Sequence, residues 1–220
     1  MPVQRSGPAV SAGTPDRTGQ GWSVRLRTDA RRNLRQVLTA AREVFGEQGY
    51  GAPMEEVARR AGVGVGTVYR RFPSKETLVR FIAEEEIQRL TDRARETLRQ
   101  ADGPWEALEH FVRSAAGPGT GRLLPAGLLP GDGRPGPEPG SGSGADSVQV
   151  RAGELLAAMG RLVDGARAAG ALRADVTVAD VLLVIATTPP AGDDAARQAA
   201  ASERLREILL RGLRALPAAR

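Results

Sequence analysis

The chain has 220 residues, of which 41% are hydrophobic and only 4% aromatic, and its formal net charge is +5. This length allows one or two domains with a real core, and the near absence of strand-like alternation favours an all-α fold. The lack of cysteine excludes disulfides and thiolate chemistry. Because there is no long apolar run and no apolar signal core, we expect a cytoplasmic protein without a membrane partner.

Residues 1–27 are rich in Gly, Ser, Pro and Arg and have no periodic apolar pattern. They are predicted to be a disordered basic arm. The first helix is expected to begin at Thr28 or Asp29, to end before Gly49, and to bury one apolar face. Arg31 lies at its start, where a basic arm can follow the DNA backbone or minor groove. A solubilising tail that contacts nothing is the alternative.

Residues 54–75 carry the most informative pattern of the chain. A first short helix is predicted from apolar residues at the spacing i, i+3, i+4, i+7, namely Met54, Val57, Ala58 and Ala61. Gly62 then suits the left-handed position that ends a helix. A second helix opens near Gly64–Val65, with Val65 and Val68 directed inward. This layout predicts a helix-turn-helix whose second helix enters the major groove of DNA, although an ordinary αα-hairpin with a solvated basic face has the same spacing.

The charge distribution favours the DNA-binding interpretation. Residues 1–80 carry 14 Lys and Arg against 7 Asp and Glu, whereas residues 81–220 carry 17 against 19. The excess positive charge therefore lies in the half that contains the predicted helix-turn-helix. A basic domain joined to a near-neutral one is typical of a nucleic-acid-binding protein.

Residues 42–79 extend this motif. They contain, in order, Phe45, Gly49–Tyr50, Val57–Ala58, Ala61–Gly62–Val63, Gly66–Thr67, Tyr69, Phe72 and Ser74–Lys75–Glu76. At this spacing the segment resembles the TetR/AcrR family of bacterial transcriptional regulators. The resemblance implies a three-helix DNA-binding domain with a helix-turn-helix at 28–75, followed at 76–220 by an α-helical ligand-binding and dimerisation domain.

The resemblance also implies the residues that contact DNA. They are Gly64, Val65, Gly66, Thr67, Tyr69, Arg70, Arg71, Lys75 and Arg31. Among them, Thr67, Tyr69 and Lys75 match positions that commonly contact phosphates in the family. Two departures stand out. Gly64–Val65 replaces a frequent Ser-Lys, so that Val65 is free to touch a thymine methyl group, and Ala52–Pro53 replaces a capping hydroxyl, with the proline suited to a first helical position.

The rest of the chain is predicted to be helical with one interruption. A fourth helix begins after the N-cap Ser74 and runs to about Gln100, and a fifth covers Trp105–Ala115. Residues 117–147 contain ten Gly and six Pro, a composition that disfavours helix. They are predicted to be a flexible insertion, with a lid over a ligand site as the alternative. Helix is expected again from about Val148.

The last two helices are expected to form a dimer interface. Thr177 and Asp180 resemble a capping box at the start of an apolar helix, and a final helix covers roughly Ala195 to Leu216. Because Val181–Ile185 is apolar almost all round, we expect these helices to pair with those of a second copy in a four-helix bundle. A monomer that buries both helices internally is the alternative.

The predicted function is a ligand-responsive DNA-binding regulator, taken to be a repressor that binds a palindromic operator as a homodimer. An unidentified small-molecule effector is expected in the body, lined by Trp105, Phe111, Leu155, Met159 and Leu183. No catalytic residue, metal or cofactor is predicted. His110 is the only histidine, and the three carboxylates Glu84–Glu86 point in different directions on a helix, so we expect them to form a solvated face. A helical dimeric ligand-sensing protein without sequence-specific DNA binding and a non-specific nucleoid-type binder remain alternatives.

Overall fold

The computed structural model describes residues 18–116, 123–124, 128, 143–187 and 194–215, without the side chains of 18–31, 143–146 and 195. Eight α-helices lie within these residues: α1 Thr18–Gln48, α2 Met54–Ala61, α3 Val65–Arg71, α4 Lys75–Gln100, α5 Pro104–Ala115, α6 Ser143–Ala168, α7 Val178–Ala186 and α8 Ala195–Leu213. The all-α prediction is confirmed. None of the helices in this described part is both long and apolar enough to span a membrane.

The first helix is longer than the sequence predicted. It begins at Thr18 rather than at Thr28 or Asp29. Residues 22–45 contain neither glycine nor proline, the two residues that most strongly interrupt a helix, and the first turn forms although it contains Gly19 and Gly21. Residues 1–17, the remainder of the predicted basic arm, lie outside the described part of the chain.

The helices α1, α2 and α3 and the start of α4 as far as Ile82 form one unit, here called the head. Its buried apolar core consists of Val37, Leu38, Ala41, Val44, Phe45, Ala52, Met54, Val57, Ala58, Val68, Phe72, Leu78, Val79, Ile82 and Leu123. Phe72 is a core residue, as predicted, and its ring lies 5.7 Å from that of Phe81. The sequence departs from expectation at Pro53, which is the N-cap of α2 rather than its first helical residue.

The rest of α4 and the helices α5 to α8 form the second unit, here called the body. Its buried core includes Ile87, Leu90, Ala94, Trp105, Leu108, Phe111, Val112, Leu124, Leu155, Met159, Leu162, Val163, Val181, Leu182, Ile185, Leu210 and Leu213. Gly170, at φ 67°, ends the turn after α6. An antiparallel bridge between Leu172 and Arg214 joins this turn to the end of α8. The helix α4 passes through both cores and connects the head to the body.

The interrupted stretch 117–147 differs from its prediction in two places. The helix α6 begins at Ser143, five residues before the predicted Val148, and Leu123 and Leu124 are both buried at 4% exposure. Two neighbouring leucines bury enough apolar surface to pack even where the composition gives no helical period. The other residues from 117 to 142 lie outside the described part, apart from the half-buried Leu128.

One prediction about burial in the body is wrong. The carboxylate Glu86 is buried rather than solvated, and the half-buried Arg89 bonds to it. The helix α7 is largely covered within one chain, since Val181, Leu182, Val184 and Ile185 are all buried. With those four residues directed inward, helical geometry leaves Leu183 on the opposite side, where it is 47% exposed.

Candidate nucleic-acid interface

A glycine turn sets the angle between α2 and α3. Gly62 has φ 66° and ψ 30°, a left-handed conformation that costs a side-chain-bearing residue energy. The Gly62 amide donates to the Arg59 carbonyl at 3.2 Å, and the Val63 amide donates to the Ala58 carbonyl at 3.1 Å. These paired bonds satisfy the last carbonyls of α2 and reverse the chain. The turn therefore holds α3 across α2 in the predicted helix-turn-helix.

The helix α3 buries one side and presents the other to solvent. Val68 is fully buried and Phe72 follows it into the head core, so these two side chains fix the rotation of the helix. The exposed residues are Gly64, Val65, Gly66, Tyr69, Arg70 and Arg71, and the half-buried Thr67 lies at their edge. Seven of the nine residues predicted to contact DNA therefore lie on the part of α3 and its N-cap that the head core leaves uncovered, here called the recognition face.

Val65 does not occupy the inward position that helical spacing suggested for it. It is 36% exposed, and only Val68 of the pair enters the core. The cause is its place as the first residue of α3, where no preceding turn covers it. Its N-cap, Gly64, has no side chain to cap the helix, and the Thr67 amide donates instead to the Gly64 carbonyl at 2.8 Å. An apolar side chain at the start of the recognition face can contact a thymine methyl group.

The start of α4 adds a favourable environment for phosphate beside α3. The Ser74 hydroxyl accepts a hydrogen bond from the Thr77 amide at 3.3 Å and caps the helix, as predicted. A bond from the backbone at Glu76, aided by the Ser74 hydroxyl, lowers the pKa of the Glu76 carboxyl. Negative charge is stabilised here because the free amides and dipole of a helix start favour it. Lys75 is the half-buried first residue of α4, so its side chain begins at this helix start.

The cations of α3 are available to a ligand, whereas those of α2 are not. Within the described residues, Arg70 and Arg71 form no ion pair, so their guanidinium groups face solvent alone. In contrast, Arg59 and Arg60 on α2 are bound to carboxylates, Arg60 to Glu47 at 3.0 Å. This bond lowers the pKa of the Glu47 carboxyl. Free guanidinium groups on α3 suit phosphates and guanine edges, which accept bidentate hydrogen bonds.

Arg31, the ninth residue of the predicted set, lies in α1, but its side chain is outside the described part of the chain. The next basic residues of α1, Arg32 and Arg35, are exposed and form no ion pair among the described residues. The contribution of α1 to DNA binding therefore stays a prediction.

The predicted effector-lining residues do not line a common cavity. Trp105, Phe111, Leu155 and Met159 are buried in the body core, whereas Leu183 is exposed on α7. A polar depression of about 670 Å³ lies between α4 and α5, lined by Arg89, Asp92, Arg93, Arg95, Glu96, Thr97, Arg99, His110 and Ser114. It includes none of the five predicted residues.

Sequence reasoning missed three residues where the head meets the body. The Tyr50 hydroxyl donates to the Leu123 carbonyl at 2.8 Å, and the buried Glu86 carboxylate lies close enough to affect it. The burial of Tyr50, reinforced by the charge of Glu86, raises the pKa of the phenol. The family-like Gly49–Tyr50 pair could have signalled Tyr50, but no local pattern pointed to Leu123.

Comparisons with known proteins match both halves of this arrangement. The family model for bacterial regulatory proteins of the tetR family matches residues 37–82, and the model for the C-terminal domain of SbtR-like transcriptional regulators matches residues 103–215. A TetR transcription regulatory protein of known crystal structure from Mycobacterium vanbaalenii is 37% identical over 86% of this chain and 99% of that one, with a TM-score of 0.50. The fold is that of a helix-turn-helix transcriptional regulator. The chain belongs to the TetR family, as the sequence resemblance indicated.

Other relatives are similar over shorter stretches or in fold alone. The transcriptional regulator UidR of Escherichia coli K12 is 34% identical over 74 residues, and the transcriptional activator FasR of Mycolicibacterium smegmatis is 41% identical over 76 residues. These matches cover 33% and 34% of this chain and 38% and 34% of those relatives, so the chain matches little more than a third of their length. The regulator AibR, solved with isovaleryl coenzyme A and operator DNA, has the same fold at 16% identity, with a TM-score of 0.55 over 82% of this chain and 97% of that one.

Proposed function

We propose that the chain is a homodimeric, cytoplasmic repressor that binds a near-palindromic operator through α3 and leaves it when a small-molecule effector binds the body. The observation that carries the proposal is the recognition face. On it, the exposed Tyr69, Arg70 and Arg71 stand beside Lys75 at the start of α4. Hydroxyl and cationic groups on the exposed part of a recognition helix suit the phosphates and base edges of a major groove.

The proposed dimer interface lies on α7 and α8. One chain covers most of α7 by itself, so the all-round apolar pattern of this helix supports a dimer only weakly. Two large apolar side chains still face solvent there, Leu183 at 47% and Ile208 at 52% exposure. A second copy that packs the same helices would cover both in a two-fold symmetric contact.

Light scattering tests the interface. The pair Leu183→Glu and Ile208→Glu is expected to give monomers, because each dimer would bury four unpaired carboxylates. Val150→Glu is a matched control, because Val150 is also an exposed apolar residue, at 64%, but lies on α6. A monomeric wild type, or a charged pair that leaves the dimer intact, would contradict the proposed interface.

The DNA-binding part is tested by selecting operators from a random duplex library and comparing the best duplex with its scrambled version. Two-fold symmetry predicts half-sites centred about one DNA turn apart, roughly 34–36 Å. We expect at least about a thousandfold preference for the selected site. A variant with Tyr69→Ala and Arg70→Ala should lose that preference. Equal affinity of the wild type for both duplexes would favour the non-specific alternative.

The direction of regulation is tested with a reporter gene placed behind the selected operator. A repressor lowers the signal, and an activator raises it. The effector would act by a population shift, binding more tightly to a dimer whose heads are wrongly spaced for DNA. Of its proposed lining residues, Trp105, Phe111, Leu155 and Met159 share one core between α5 and α6, so an effector that enters there would separate these helices.

A further inference from the structure

Among the residues that the structure describes, Leu123 is the one from beyond α4 whose side chain lies in the core of the head. Every other buried member of that core falls between Val37 and Ile82, within the described residues. The Leu123 side chain is 4% exposed and belongs to the same buried cluster as the core residues of α1 to α4. The head is therefore completed by a residue that the chain supplies only after it has passed through α5.

The next residue, Leu124, lies in the other core. It is also 4% exposed, and it packs with the buried apolar residues of the body. Two consecutive side chains thus enter the cores of two different units. A displacement of this dipeptide must disturb both units together.

Tyr50 fixes the backbone of this dipeptide to the head. Its hydroxyl donates to the Leu123 carbonyl at 2.8 Å, and its ring lies 5.6 Å from the ring of Phe45 in the head core. Burial and the nearby Glu86 carboxylate raise the pKa of the phenol, so it stays neutral and keeps the proton that it donates. The bond joins residues 73 positions apart in the sequence.

Without this contact, the main link between head and body is the single helix α4, to which α1 is also bound by the ion pair of Arg42 with Glu85. Leu78 and Ile82 of α4 belong to the head core, and Ile87 and Leu90 belong to the body core. A single helix restrains bending only by its own stiffness, and long helices curve readily. A second attachment away from the helix axis restrains the orientation of the head relative to the body.

We propose that Leu123–Leu124 is this second attachment and that Tyr50 is a positioning residue, which holds the recognition face at the orientation that the operator requires. The consequence for DNA rests on the proposed function, whereas the attachment itself does not. Any effector that moves the dipeptide out of either core would free the head to reorient about α4.

The orientation is measured without DNA by electron–electron distance measurements on the full chain. The natural sequence has no cysteine, so Gln36→Cys on α1 and Ala157→Cys on α6, both exposed positions, place one spin label on each unit. Labelled chain is diluted with unlabelled chain so that distances within one chain dominate. We expect a narrow distribution of distances between the two labels in the doubly labelled chain. The distribution should become broader when Tyr50→Phe or Leu123→Ala is added.

Thr91→Val is the matched control. It removes a buried hydroxyl that bonds only within its own helix, to the Ile87 carbonyl at 2.8 Å, and it should leave the distribution narrow. Circular dichroism establishes that each variant is folded. If Leu123→Ala fails to fold, Tyr50→Phe still tests the attachment, because it keeps the aromatic ring and removes only the hydroxyl that donates the hydrogen bond. Narrow, unchanged distributions in the folded variants would overturn the attachment.

Operator binding then tests the positioning role. Tyr50→Phe should weaken binding to the selected operator by about fivefold, the loss expected for one net hydrogen bond, and leave binding to random duplex unchanged. An unchanged operator affinity despite a broadened distribution would overturn the role of Tyr50. If the wild type itself shows no preferred operator, the proposed function fails, while the distance distributions still decide the attachment.

Discussion

Replacing Lys75 with alanine should lower the salt dependence of operator binding by a calculable amount. Each chain offers three cations at the recognition face and the start of α4, namely Arg70, Arg71 and Lys75. If all three contact phosphates in both chains of a dimer, about six counterions are released, and the slope of log K against log salt is about −5. Affinity would then fall roughly a thousandfold between about 50 and 200 mM salt.

Lys75→Ala removes one phosphate contact from each chain, so we expect the slope to become shallower by about 2. Fluorescence anisotropy of a labelled operator over a potassium chloride series measures it. Arg161→Ala is the matched control, because Arg161 is exposed on α6 and forms no ion pair among the described residues. The reasoning is refuted if Lys75→Ala leaves the slope unchanged, or if Arg161→Ala lowers it equally.

Three further changes test the local structure by thermal unfolding. Gly62→Ala should destabilise the chain by about 1 kcal/mol, because φ 66° strains any residue with a Cβ atom; an unchanged Tm would contradict the left-handed turn. Gly64→Ser should raise stability by about 0.5–1 kcal/mol, since φ is −65° and an added Cβ meets only the Thr67 hydroxyl oxygen at 3.9 Å. A lower Tm would mean that this serine does not cap α3. Thr177→Ala should cost about 1 kcal/mol, or about 2–4 °C, because it removes the capping box with Asp180; no shift would show that α7 does not need the cap.

The features that the sequence predicted well depend on neighbouring residues. The turn after α2 follows from Gly62 and the helical spacing before it, and Ser74 and Thr177 cap α4 and α7 as their local sequences indicated. Such signals are readable because helix ends have few ways to satisfy their free amides and carbonyls. The family resemblance rests on the same segment, and the DNA contacts that it implies for α3 stay a prediction.

The features that the sequence missed depend on distant residues. Nothing near Leu123 predicts burial, since its neighbours are mostly Gly and Pro and its partners lie in the head. Glu86 follows two other glutamates, and only its neighbours in the fold, Arg89 and Tyr50, distinguish it as buried while Glu84 and Glu85 are not. The exposure of Leu183 was equally unpredictable, because the sequence of an apolar helix does not indicate which of its sides a neighbouring helix covers.

The predicted effector residues illustrate the limit for function. Aromatic and large apolar residues in a helical body suit a ligand wall and a packed core equally well, and composition does not distinguish the two. In the structure, Phe111, Leu155 and Met159 are fully buried against one another in the body core. The recognition face was more predictable because exposed cations and hydroxyls have no role in a core.

Hydroxyl-radical footprinting of the selected operator tests the central claim most directly. A symmetric dimer that reads DNA through α3 should protect two backbone regions related by a two-fold axis, with their centres about one helical turn apart. Tyr69→Ala with Arg70→Ala should abolish both protections together. A single protected region, or uniform weak protection along the duplex, would contradict a two-fold symmetric regulator that recognises its operator through this face.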